Sequence, residues 1–177
     1  MCIRDSRGFG IAGWAPAWLL VVPAVVALVV ARPRGWALFA APLAAGWATA
    51  TWVALTMHGF WWPGRQLVVV LPLALLVVLW WLARLRPPVR LLAGGLAAVL
   101  AASGVLTYGW VLRAGLAGEI TWVIGFETVS APVYQALRPL LPDYRGSDFL
   151  ALHLAWAVII CGLGLAGAWS VRGRGLR

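Results

Sequence analysis

Five stretches of this chain run for about 18 residues or more without an arginine, lysine or carboxylate, the length at which an apolar helix can cross the hydrocarbon of a bilayer. They cover residues 13–30, 36–57, 66–83, 91–112 and 149–171. A backbone in hydrocarbon must satisfy its own N–H and C=O groups, and a helix does this within one segment. The pattern therefore predicts an all-α fold: a polytopic transmembrane helix bundle of about five spans. Residues 8–177 form a single transmembrane domain in this reading, with residues 113–148 as one long segment outside the bilayer.

Composition closes off the soluble alternative. The chain is 63% hydrophobic and 11% charged, with a mean hydropathy of +0.92, whereas soluble domains are about a quarter charged. The net charge is +9, and every one of the fourteen cations is arginine. These arginines sit between the apolar runs and not on one solvated face, which excludes a nucleic-acid-binding surface. Cys2 stands at the terminus and Cys161 inside the last run, so neither a disulfide nor a metal-ligand spacing is expected. No metal and no cofactor are predicted. The opening hexapeptide MCIRDS matches nothing after it in composition and looks like a sequencing-adapter scar. Residues 1–7 are therefore set apart, and further helices of the same protein are expected upstream.

The runs carry breaks and small residues that shape a bundle. Pro16 and Pro23 lie in the first run, where a kink near Pro23 is expected, and Pro72 lies about one turn inside the third. Gly94, Gly95, Ala98 and Ala102 in the fourth run, with Gly164 and Ala168 in the fifth, would allow close helix approach. Alanine-rich filler is the equally weighted alternative. In the outer segment Glu119 and Glu127 interrupt a moderately apolar stretch, and a carboxylate at mid-bilayer is costly, so no sixth span is counted. SAPVYQALRPLL reads as a short helix with Ser130 as N-cap and Pro132 in its first turn. Val133, Ala136, Leu137 and Leu140 would be the face it lays on the membrane surface.

Charge assigns the sides. The loop of Arg32 and Arg34, the loop of Arg84, Arg86 and Arg90, and the C-terminal tail hold eight arginines and no acid. The opposite loops hold four arginines against Glu119, Glu127, Asp143 and Asp148. The positive-inside rule places the arginine-only set in the cytoplasm, the N-terminus outside and the C-terminus inside. Trp36, Trp80, Trp81 and Trp169 then fall near the inner interface, and Trp14, Trp18, Trp52, Trp61, Trp62 and Trp110 near the outer one, where indole is favoured.

Groups able to do chemistry collect on the outer side: His58, Arg65, Glu119, Glu127, Arg138, Asp143, Asp148 and His153. His153 lies about one turn inside the fifth run, close to Asp148. It is either an acid–base partner of a carboxylate or an interfacial histidine bonded to loop backbone, and the latter asks for less. Arg65 heads the third run after Pro63–Gly64. It either reaches back to water or clamps a phosphate or carboxylate with two N–H groups. Phe60, Trp61 and Trp62 beside it serve as an interface anchor or as a sugar-stacking platform.

The stretch WWPGRQLVVVLPL, Trp61 to Leu73, resembles a segment of polytopic glycosyltransferases that take sugars from polyprenyl-phosphate donors. In that family a Gly-Arg outer loop runs into a helix with spaced prolines. Gln66 stands here in place of an aromatic, and Val69 in place of a first proline. The resemblance implies a polyprenyl-phosphate-linked sugar as substrate, with Arg65 on its phosphate; Trp62 and His58, nearby in sequence, are added as substrate-binding candidates. The family's catalytic carboxylate has no match in this sequence, so no catalytic residue is assigned. The competing expectation is a non-enzymatic membrane module, a transporter, flippase or assembly subunit. No run carries an ionisable group at mid-depth, which argues against ion coupling.

Overall fold

A computed structural model describes residues 11–56, 68–119, 131–141 and 149–172. Every element among them is helical, in agreement with the all-α expectation. The helices are α1 (Ile11–Trp14), α2 (Val21–Ala31), α3 (Trp36–Thr56), α4 (Leu71–Arg84), α5 (Pro87–Leu116), α6 (Pro132–Leu137) and α7 (Phe149–Val171). Two 3-10 turns, Pro16–Leu20 and Arg138–Leu140, complete the set.

The prolines decide where the helices begin. The break in the first run falls at Ala15 and not at Pro23. Ala15 has φ −142° and ψ 73°, pushed out of the helical region by the proline that follows it. Pro23 instead sits in the first turn of α2, where its missing N–H costs nothing. Pro72 is likewise the second residue of α4, so that helix starts at Leu71 and not at Gln66. Leu85 and Arg86 are extended ahead of the Pro87–Pro88 pair, which opens α5 four residues earlier than expected. At its far end α5 stops in a Schellman motif. Gly118 takes φ +71°, its N–H meets the Gly115 carbonyl at 3.1 Å, and the Glu119 N–H meets the Ala114 carbonyl at 2.9 Å. Glu119 is thereby carried out of the helix and left exposed.

Among the described residues two helices, Pro87–Leu116 and Leu150–Val171, are long and apolar enough to cross a membrane, and only 6% of the most apolar stretch of each is buried. Within those residues, these two of the five expected spans meet the test of length and hydropathy. α2 and α4, with 11 and 14 residues, are shorter apolar helices. Apolar surface turned outward on this scale is costly in water and matched to hydrocarbon.

α2 is the hub, packing on α7 most closely and then on α4 and α3. The contact with α7 rests on small residues. A Cβ placed on Gly167 would overlap the carbonyl of Pro23, and one on Gly164 would lie 3.7 Å from Val26 Cγ2. Gly164, one of the two small residues foreseen in the fifth run, thus lies at a helix contact, but the closest approach is at Gly167, which was not foreseen. Gly94 and Gly95 in the fourth run meet nothing within 4 Å. The larger core joins Leu28, Leu43, Ala74, Val77, Trp81 and Leu85. Trp81 Nε1 donates to Ser170 Oγ at 3.0 Å, and Ser170 Oγ donates onward to the Gly167 carbonyl at 2.7 Å. This bond sets the C-terminal turns of α4 and α7 side by side, so Arg84 and Arg172 share one end of the bundle.

Candidate functional site: an apolar groove and its aromatic end

Of the nine residues that sequence singled out, the structure describes Glu119, Arg138 and His153. His58, Trp62, Arg65, Glu127, Asp143 and Asp148 lie outside the described residues, as does Ser130. Glu119 is exposed beyond the end of α5, Arg138 is half-buried in the second 3-10 turn, and His153 is half-buried in the second turn of α7. Among the described residues no three His, Cys, Asp or Glu side chains come together as metal ligands would.

The structure assembles an apolar groove of about 630 Å³ between the first 3-10 turn, α4 and α5. Its α5 wall runs from Ala97 to Leu112, about 22 Å of helix at ~1.5 Å per residue. Ala97, Ala101 and Gly104 leave the space, Leu75, Leu79 and Leu82 of α4 face it, and Ala15, Ala17 and Trp18 close the third side. The groove owes its existence to the break at Ala15. A Cβ on Gly104 would lie 3.4 Å from the Trp14 carbonyl and 3.5 Å from Ala15 Cα, so the bare glycine lets the broken segment come in against α5.

Its walls are dry because the nearby hydroxyls are turned away. Ser103 Oγ donates to the Leu100 carbonyl at 2.8 Å, and Thr107 Oγ1 donates to the Ser103 carbonyl at 2.9 Å, each bonding back into its own helix. The polar side-chain groups in the lining are the Trp18 indole and the Tyr108 hydroxyl. Pockets of this size ordinarily mix an apolar lining with a few placed polar groups, and here the apolar part dominates. Such a surface suits a hydrocarbon chain and offers little to a sugar or an ion.

One end of the groove abuts a second buried cluster of Trp14, Val111, Ala131 and Tyr134. Tyr134 stacks on Trp14 with ring centroids 5.0 Å apart and planes at 29°, and Tyr108 meets the same indole at 6.2 Å and 42°. The short helix expected from SAPVYQALRPLL is present as α6, with Pro132 opening it and Ala131 as N-cap. Ala131 and Tyr134 go inward against Trp14. Of the aliphatic face expected to lie on the membrane surface, Ala136 and Leu140 are exposed and Val133 and Leu137 half-buried. Trp156 Nε1 of α7 donates to the Leu140 carbonyl at 2.7 Å and ties this segment to the last helix.

Sequence reasoning missed the groove. The available signal was the coincidence of Pro16 with an alanine- and glycine-rich stretch of α5, and of Tyr108 within an otherwise aliphatic span. Compared with known protein families, with curated proteins and with solved structures, the chain gives no match.

Proposed function

We propose that this is an integral membrane protein of the bacterial inner membrane that handles a lipid-linked substrate, as the polyprenyl-phosphate-sugar glycosyltransferases do. The groove supports this reading: it is long, apolar and lined by α4 and by α5, which is long and apolar enough to cross a membrane, and its dimensions suit one hydrocarbon chain. In this proposal all five apolar runs cross the membrane, the arginine-only loops face the cytoplasm, and the groove's aromatic end faces outward. Arg65 binds the donor phosphate at the outer face, with Trp62 and His58 beside it, and the segment from Glu119 to Asp148 borders the acceptor.

A photo-reactive residue at Leu79, in chain reconstituted into nanodiscs, tests the groove. A polyprenyl phosphate is expected to give an adduct that an equal mole fraction of diacyl phospholipid does not displace. Complete displacement by phospholipid would reduce the groove to ordinary lipid contact. Arg65→Ala is expected to abolish sugar transfer from the lipid-linked donor, and unchanged turnover would make Arg65 an anchor only. Transbilayer movement of the lipid without any sugar transfer would favour a flippase. Cysteines at 84–90 are expected to resist a membrane-impermeant thiol reagent applied outside intact cells, and labelling there would invert the orientation.

A further inference from the structure

We propose that α6 is a clasp that sets the width of the groove, with Tyr134 as the positioning residue acting through Trp14. The inference rests on the lipid-chain reading only for what the groove holds, not for how its wall is fixed. Tyr134 is 1% exposed and Trp14 is fully buried, although α6 has only six residues and α1 only four. Elements this short have no helical stability of their own, so tertiary contacts hold them, with the ring stack at the buried centre. Trp14 in turn controls the groove. Its indole meets Tyr108, its carbonyl stands against Gly104, and the next residue is Ala15; these three residues all line the groove.

The wall is therefore carried by a segment with a natural pivot. Ala15 is non-helical, has no side-chain cap bond, and joins α1 to a 3-10 turn whose residues Ala17, Trp18 and Leu20 face the groove. If α6 lifts, Trp14 loses its stacking partner and the Pro16–Leu20 wall is released about Ala15. Two contacts seat the clasp at its other end. Leu141 lies against Gly13, where a Cβ would come within 2.7 Å of its Cδ1, and the Leu140 carbonyl takes the Trp156 N–H. The space at Gly13 is thus a socket for Leu141. A clasp so placed would admit a chain when open and retain it when shut, shifting between two populations and adding no chemistry.

Spin labels at positions 17 and 112, on facing walls of the groove, test this in full-length chain with Cys2 and Cys161 replaced by serine. The native residue and Tyr134→Phe, which keeps the ring, are expected to give one narrow distance distribution. Tyr134→Ala is expected to broaden it, and Leu141→Ala, which empties the socket but leaves the stack, to broaden it less. Tyr134→Ala protein that elutes as native yet keeps the narrow distribution overturns the clasp. If Tyr134→Ala does not fold, an unchanged distribution in Leu141→Ala overturns it in the same way. This measurement needs no lipid, so a failed adduct at Leu79 would strike the substrate reading and leave the clasp standing. Where the adduct does form, Tyr134→Ala should speed exchange of the polyprenyl phosphate severalfold while Tyr134→Phe leaves it unchanged.

Discussion

The two buried clusters solve the same packing problem with different materials. Near the arginine-bearing end, Leu28 of α2, Leu43 of α3 and Val77, Val78 and Trp81 of α4 mesh along three helices, and glycines on α7 let a fourth approach. At the other end of α5, where Val111 lies about 30 Å of helix from Arg90 at ~1.5 Å per residue, two aromatic rings and a few small residues hold short pieces of chain together. The first cluster is spread over many modest contacts, so no single side chain dominates it. The second is concentrated in Trp14. The comparison teaches that the long helices set the frame, while one indole sets the detail beside the groove.

Substitution should separate the two. Trp14→Ala is expected to have the largest effect, a loss of about 3 kcal/mol or more of the kind seen when a buried tryptophan is truncated. It should loosen the aromatic end first, so hydrogen exchange should rise in residues 131–141 while α4 keeps its protection. Equal loss at both ends would dissolve the distinction. Gly167→Ala comes next. Its new methyl meets the Pro23 backbone, and overpacking of this kind costs about 1–3 kcal/mol, read as a lowered unfolding midpoint in detergent. Ser170→Ala should cost about 0.6 kcal/mol, the average for a hydrogen bond between membrane helices, because it removes the bond from Trp81 with little change in packing volume. Gly94→Ala should cost nothing, since no atom lies within 4 Å of the added Cβ. A loss there comparable to that at Gly167 would mean that a partner covers this face of α5.

The frame was legible in the sequence for a simple physical reason. Charge cannot be hidden in hydrocarbon, so the arginines mark the ends of the apolar runs, and α7 begins and ends at the expected residues, Phe149 and Val171. The bond from Trp81 to Ser170 also brings together the ends of α4 and α7 that the arginine pattern had assigned to one side. What could not be read was packing between elements. The proline at 23 looked like a kink, yet the chain breaks at Ala15, because a proline in a first turn is tolerated and the residue before one is not. The candidate site was legible only as a side of the molecule. The small residues that stand out in the sequence of the fourth run are Gly94, Gly95, Ala98 and Ala102, whereas those that leave the space are Ala97, Ala101 and Gly104, and only the approach of a broken helix turns their missing side chains into a cavity.

The length of α5 has a consequence for where such a protein can work. Thirty residues make about 45 Å of helix, but the uncharged part between Arg90 and Arg113 is only about 33 Å, close to a typical hydrocarbon layer of about 30 Å. In a bilayer the rest would project as two arginine-bearing ends. Val111, buried in the aromatic cluster, and the buried Ala114 sit on either side of Arg113, so that cluster would stand at the boundary between acyl chains and headgroups.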